Sequence, residues 1–268
     1  MERTSFARWA TLDIDPAEAQ RLALQNRVDA YNALIGDDDG TAVECRQCLN
    51  KGFIAYVDDE TGHFCTRFCK CHGHRLTVQR LQRCGVWTRA QRCKLENFKA
   101  DTPLQRTMKD SVERFIANPG GHWLMLCGQS GAGKTHLCTA VFVRLSERLG
   151  LAGEYLQWNA DSRRLKATAL DDPDDVWNRY KVAPLLYIDD LFKCRQGQEP
   201  SDADIRLAFE LLDHRYNNQL ITILSSEWTF DKLLATDQAI GSRIRELCGP
   251  YLISITPDPA KNYRLTQS

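Results

Sequence analysis

Residues 128–135 read Gly-Gln-Ser-Gly-Ala-Gly-Lys-Thr, a complete G-x-x-x-x-G-K-[ST] string, and few strings of this length restrict a fold so strongly. The string needs a strand before it and a helix after it. Trp123-Leu124-Met125-Leu126-Cys127 is a buried-strand run, and His136 to Leu149 carries Leu137, Val141, Val143, Leu145 and Leu149 as one helical apolar face. Gly128, Gly131 and Gly133 let the backbone turn its N–H groups around an anion, at a helix N-terminus whose dipole favours negative charge. Lys134 would reach the outer phosphates of a nucleotide, and Thr135 would offer its hydroxyl to Mg²⁺. Gln129, Ser130, Ala132 and His136 complete the candidate phosphate-binding stretch.

Such a loop works with an acid at the end of a neighbouring strand, where it can hold the metal through water. Leu185-Leu186-Tyr187-Ile188-Asp189-Asp190 supplies one. A paired Asp after a strand is also a turn signal. Its place about 55 residues after the loop lysine favours the chemical reading: Asp189, directly after the apolar run, for Mg²⁺, and Asp190 to orient or deprotonate an attacking water. Apolar runs at 123–127, 153–158, 185–189, 220–226 and 251–255 alternate with helical patterns, which predicts an α/β fold with a parallel sheet covered by helices on both faces.

Upstream, Pro16 opens a helical pattern over 16–35, and Asp37-Asp38-Asp39-Gly40 reads as a solvated linker. Five of eleven cysteines then fall between Cys45 and Cys71. Cys45-x-x-Cys48 followed by Lys51-Gly52 is a metal knuckle that needs two more ligands; Cys65, Cys69 and Cys71 compete for those places, with His63, His72 and His74 nearby. The 16 residues between Cys48 and Cys65 accommodate a hairpin with strands at 53–57 and 63–68 around Asp58–Gly62, giving a zinc-ribbon-like module. Zn²⁺ there would be structural, because four thiolates leave no open position and so small a module needs metal binding to fold. Cys84, Cys93, Cys127, Cys138, Cys194 and Cys248 lie singly and read as small buried hydrophobes.

Formal charge is zero, from 35 basic and 35 acidic side chains, so total charge selects no partner. Locally, Arg67 to Lys99 holds nine Lys or Arg against the single acid Glu96, with a helical stretch at 74–84 stopped by Gly85. It reads equally as a solvated helix face or a phosphate-contacting surface. Trp87 and Phe98 are candidates for stacking on bases, though core packing explains them better. Arg163, Arg164 and Lys166 form a second basic group. A polar connector at 96–106 leads into a helix at 107–117. No run of about 18 apolar residues exists and the first residues lack a secretory core, so a soluble cytoplasmic protein is expected. The expected organisation is a helical segment at 1–40, the zinc module with its basic helix at 41–95, and an ATPase domain at 96–268.

From Cys45 to the C-terminus the chain resembles the helicase-loader branch of AAA+ proteins, the DnaC and IstB type carried by phages and mobile elements. The resemblance rests on Ile188-Asp189-Asp190-Leu191-Phe192-Lys193, Arg215-Tyr216-Asn217-Asn218, Ser225-Ser226-Glu227, Ala239-Ile240-Gly241-Ser242-Arg243-Ile244 and Asn262-Tyr263-Arg264-Leu265. It implies a AAA+ sheet with the P-loop strand at its centre and an ATP site completed by a neighbouring subunit. Ser226 and Glu227 would stand where such ATPases sense the γ-phosphate, although Asn is usual there. Arg243 would be the trans-acting arginine, with Arg215 a second candidate. The family pattern of C-x-x-C followed by C-x-C selects Cys69 and Cys71 beside Cys45 and Cys48 for zinc, while a Cys65 and Cys69 pair also fits the spacing. The implied function is an ATP-dependent loader that binds a replicative DnaB-type helicase and single-stranded DNA. Slow ATP hydrolysis to ADP would act as its switch, Asp190 being one methylene shorter than the usual Glu. Two other readings are an IstB-like transposition ATPase that marks target DNA and a non-hydrolysing scaffold.

Overall fold

The computed structural model describes residues 15–83, 85–168, 174–194 and 198–258. Cys84, the Asn262-Tyr263-Arg264-Leu265 string and residues 1–14 of the N-terminal segment lie outside the described residues. The chain divides into two compact units, one ending at His72 and the other starting at Gly73.

In the first unit, α1 (Pro16–Ala33) starts at an Asp15 cap with Pro16 in its first turn, and it ends two residues before the expected Ile35. The strands β1 (Phe53–Val57) and β2 (Phe64–Phe68) pair antiparallel, from Phe53 opposite Phe68 to Val57 opposite Phe64. Their turn is built on Asp58, whose carboxylate accepts from the Thr61 N–H at 2.8 Å and the Glu60 N–H at 3.2 Å. A two-stranded ribbon has two open edges, and one of them is blocked by a side chain. Asn32 on α1 donates from Nδ2 to the Ala55 carbonyl at 3.0 Å and accepts from the Ala55 N–H at 2.9 Å, which imitates a strand partner.

The second unit comprises most of α2 (Cys71–Arg83), then α3 (Trp87–Arg92), α4 (Pro103–Ala117), β3 (Trp123–Gly128), α5 (Lys134–Leu149), β4 (Gly153–Gln157), α6 (Trp158–Thr168), α7 (Asp174–Val182), β5 (Leu185–Asp189), α8 (Asp202–Asn217), β6 (Ile221–Ser226), α9 (Phe230–Thr236), α10 (Gln238–Cys248) and β7 (Leu252–Ile255). The five strands are parallel in the order β4-β5-β6-β3-β7. The P-loop strand β3 is therefore inside the sheet, between β6 and β7, but the central strand is β6. Side chains alternate across β3: Trp123, Met125 and Cys127 join the core under α8 and α10, while Leu124 and Leu126 join the core under α4 and α5. Both faces are covered, as a buried parallel sheet requires. Among the described residues no helix is long and apolar enough to cross a membrane.

The basic helix that the charge pattern grouped with the cysteines packs on this second unit instead. A Cβ at Gly73 would lie 1.9 Å from the Gly150 carbonyl oxygen, so the helix approaches that backbone closely. Thr77 accepts from the Gly153 N–H at 2.8 Å, and Arg80 pairs with the buried Glu154 at 3.1 Å. Its charge is partly spent on holding the edge strand β4.

Arg215 is fully buried on α8. Its guanidinium donates to the carbonyls of Tyr180, Lys181, Ala183 and Ile221 and to the Thr222 hydroxyl, so it ties the end of α7 and the entry to β5 to β6. A side chain so enclosed cannot reach a neighbouring subunit's phosphate, and the second trans-acting candidate is a structural residue. Arg215→Leu leaves these acceptors unpaired. Urea unfolding of the variant is expected to show a loss of at least about 3 kcal/mol, whereas an exposed arginine would cost under about 1 kcal/mol.

Candidate nucleotide and metal sites

The strand order decides the main site. Because β6 lies between β3 and β5, the carboxyl ends of all three open on one crevice, and the P-loop, Asp189-Asp190 and Ser225-Ser226-Glu227 meet there. The P-loop backbone is possible only with glycine at two points. Gly128 has φ +97° and a Cβ there would meet the Ile255 carbonyl oxygen at 2.0 Å; Gly133 has φ +91° and a Cβ there would lie 2.7 Å from the Phe98 ring. Phe98 is thus a core residue lying on the loop, and Trp87 packs against the same core. Neither is a free stacking platform.

Lys134 is buried, and its ammonium donates to the carbonyls of Gly128 and Gln129, both at 2.8 Å, across the mouth of the loop. Burial holds its pKa below the usual lysine range, partly offset by Glu227 and Asp190. Together with Ser130, Gly131, Gly133 and Thr135 it lines a cavity of about 280 Å³. Two members of the expected phosphate stretch face elsewhere. Gln129 accepts from the Asp258 N–H at 3.2 Å, and His136 meets the Lys94 carbonyl at 2.8 Å.

Asp189 is the most heavily bonded acid of the site. Its Oδ1 accepts from the hydroxyls of Ser225 at 2.6 Å, Tyr187 at 2.7 Å and Thr135 at 3.4 Å, and its Oδ2 accepts from Tyr155 at 2.8 Å. Arg89 on α3 completes the set at 3.4 Å from Oδ2. Thr135 and Asp189 are hard oxygen donors side by side, a donor set that suits Mg²⁺. Asp190 has φ +59° and hands its N–H to the Ser225 hydroxyl at 3.0 Å. Its carboxylate pairs with Lys193 at 2.7 Å; Lys193 also reaches Glu227 at 3.1 Å, and Glu227 accepts from Ser130 at 3.2 Å. Burial works against the Glu227 carboxylate, but Lys193 holds its pKa below the usual range.

The serine pair divides differently from expectation. Ser226 donates to the Leu191 carbonyl at 2.8 Å and accepts from the Trp228 N–H at 3.1 Å, so it closes the turn after β6 and stays out of the cavity. Ser225 is the one that touches both acids. Strand alternation was the available signal: adjacent residues point to opposite faces, so only one of the two can serve the site. The roles of Arg89, Tyr155, Tyr187 and Lys193 also escaped sequence reasoning: Tyr187 and Lys193 stand in the quoted strings only as neighbours of the acids, and Arg89 and Tyr155 lie far from them in the chain. Arg243 on α10 is outside its own chain's cavity; it pairs with Asp213 at 2.7 Å and lies over the rings of Phe209 and Tyr216. Of the second basic group, Lys166 pairs with Asp204 at 2.6 Å and Arg163 donates to Asn159 at 2.8 Å.

In the first unit the sulfurs of Cys45, Cys48, Cys69 and Cys71 all lie within 4.8 Å of one another. Leu49 and Asn50 at positive φ fold the chain back, and the Gly52 N–H points at the Cys48 sulfur at 3.2 Å. Burial opposes ionisation of Cys45, but the backbone N–H groups of Cys48 and Gln47 bring its thiol down to about 7. Cys65 sits on β2 opposite Tyr56, outside the cluster. Four thiols at this spacing suit one tetrahedral ion.

The two serines make a direct test of this geometry. Ser225→Ala is expected to weaken Mg²⁺-dependent binding of an ATP analogue about tenfold, because it unpins Asp189 and Asp190 together. Ser226→Ala is expected to cost about 1 kcal/mol in unfolding free energy and to leave nucleotide affinity near wild type. Fluorescence titration and denaturation of both variants check this, and equal effects on affinity would contradict the assignment.

Several known proteins are similar to this chain. A family model described as RNA helicase matches residues 124–214. The phage-like element PBSX protein XkdC of Bacillus subtilis is 31% identical over 230 residues, covering 82% of this chain and 85% of that protein. YqaM of the same organism is 28% identical over 207 residues, 74% of this chain and 66% of that protein, so the match spans about two thirds of YqaM. The crystal structure of the DnaC helicase loader superposes with a TM-score of 0.54 at 24% identity, over 59% of this chain and 95% of that one. Replication initiator DnaA bound to AMPPCP and single-stranded DNA superposes with a TM-score of 0.51 at 22% identity, over 62% of this chain and 50% of that one. The chain belongs to the family of the phage-element protein XkdC, and it carries its P-loop on an α/β fold of the DnaC, AAA+ type.

Proposed function

We propose that this protein is an ATP-dependent helicase loader, in which a zinc-bearing N-terminal unit grips a replicative DnaB-type hexamer and the AAA+ unit binds ATP and single-stranded DNA. The observation that carries the switch-like character is Lys193. It neutralises both Asp190 and Glu227, the two groups at hand to activate water or sense the γ-phosphate, so the cradle for nucleotide is complete while the hydrolytic acids are restrained. ATP binding then governs assembly and slow hydrolysis governs release.

Thr135 and Asp189 would hold Mg²⁺ and Lys134 would turn to the phosphates; the metal would neutralise phosphate charge. Arg243 acts on the nucleotide of the next subunit, which its position outside its own cavity supports. It leaves Asp213 to do so. Arg163 and Arg164, exposed on α6, and Lys166, freed from Asp204, contact the DNA backbone. DnaA, a neighbour in fold, was seen with a single strand. Zn²⁺ on Cys45, Cys48, Cys69 and Cys71 holds the first unit together, and the protein works in the cytoplasm.

Co-purification with a hexameric replicative helicase is expected, dependent on ATP and abolished by Lys134→Ala. No complex, together with ATP-dependent filaments on duplex DNA, would favour the transposition-ATPase reading; a fully functional Lys134→Ala variant would favour the scaffold. Turnover is expected well below the ~10 per second common among enzymes. Elemental analysis should find one zinc per chain. Its removal should open residues up to His72 to protease while the unit from Gly73 keeps its cooperative unfolding.

A further inference from the structure

Among the described residues, Arg89 is the one cation that enters the cavity from outside the quoted motifs. It comes from α3, part of a strap over 87–98 that is fastened along the P-loop and its helix. The Lys94 carbonyl meets His136, Glu96 pairs with Arg144 at 2.7 Å, and the Phe98 ring fills the space above Gly133. From this strap the Arg89 guanidinium reaches Asp189 Oδ2 at 3.4 Å and donates to the Tyr155 hydroxyl, which itself donates to the same carboxylate oxygen at 2.8 Å. It also lies 5.7 Å from the centre of the Tyr155 ring.

The two oxygens of Asp189 are thus unequally engaged. Oδ1 is taken by neutral hydroxyls, two of them short, whereas the one positive group on the carboxylate is on Oδ2. A buried carboxylate requires a cation, and two cations on one carboxylate repel. The Arg89 side chain is 35% exposed, so water can replace Asp189 as the partner of its guanidinium.

We infer that Arg89 is a positioning residue that serves as the resident counter-cation of Asp189 and competes with Mg²⁺ for it, so that metal binding and release of Arg89 are one event. Released, the planar guanidinium stands at the mouth of a phosphate site, suited to a nucleotide oxygen. The consequence is a nucleotide site whose demand for Mg²⁺ is set by a residue of the strap. This rests on the ATP-site reading.

The test uses the purified full chain and a fluorescent ATP analogue titrated with Mg²⁺ at fixed nucleotide. Arg89→Gln is expected to lower the half-saturating Mg²⁺ concentration about fivefold, and Arg89→Lys, which keeps the charge, to stay within about twofold of wild type. Thermal unfolding confirms that each variant is folded, and Arg89→Met replaces the glutamine variant if that one is not. An unchanged or raised Mg²⁺ midpoint in the neutral variants overturns the inference. Wild-type protein that binds no analogue at any Mg²⁺ concentration overturns the ATP-site reading itself, a separate and distinguishable failure.

Discussion

A carboxylate at the end of a buried strand is costly unless every lone pair is met, and the second unit is arranged around meeting those of Asp189. Hydroxyls come from β4 (Tyr155), from β5 itself (Tyr187), from β6 (Ser225) and from the first turn of α5 (Thr135), and the cation comes from α3. Each donor is on a different element. The acid therefore works as a pin that registers three neighbouring strands, the P-loop helix and the strap that precedes them.

Around that pin, charge is distributed in small closed circuits. Lys134 is turned onto loop carbonyls, Lys193 bridges Asp190 and Glu227, and Arg243 rests on Asp213. Cations suited to phosphate are thus held by internal partners. A nucleotide and its metal would compete with these contacts, and the gain is a difference between two sets of charge pairs, which suits control by nucleotide state better than rapid turnover.

The first unit solves a different problem. Few apolar side chains are buried among its described residues; a knuckle and a ribbon bring four sulfurs together, and one ribbon edge is closed by Asn32. The structure favours Cys69 and Cys71 over Cys65, which spacing alone left open. The reason is strand geometry: Cys65 is within β2, where its position is set by pairing to Tyr56, whereas Cys69 and Cys71 follow the strand and turn back to the knuckle.

Local chemistry was legible without coordinates wherever it is written in consecutive residues. The P-loop, the apolar run before Asp189, the hairpin turn at Asp58 and the five strand positions all follow from glycine, charge and alternation over short stretches. What needed the tertiary structure was every question of which side a residue faces and what lies beyond it. Ser225 and Ser226 are adjacent and chemically identical, yet one touches the acids and the other a turn. Arg215 and Arg243 both sit in family strings, yet one is entombed among carbonyls and the other half-exposed on a helix. Arg89 lies 100 residues from Asp189 in the chain and meets it only because the strap is fastened along the P-loop and α5. Sequence specifies the functional groups through local spacing; the strand order, with β6 inserted between β3 and β5, decides which of them share a cavity, because pairing between distant strands is not encoded in the spacing within any one of them.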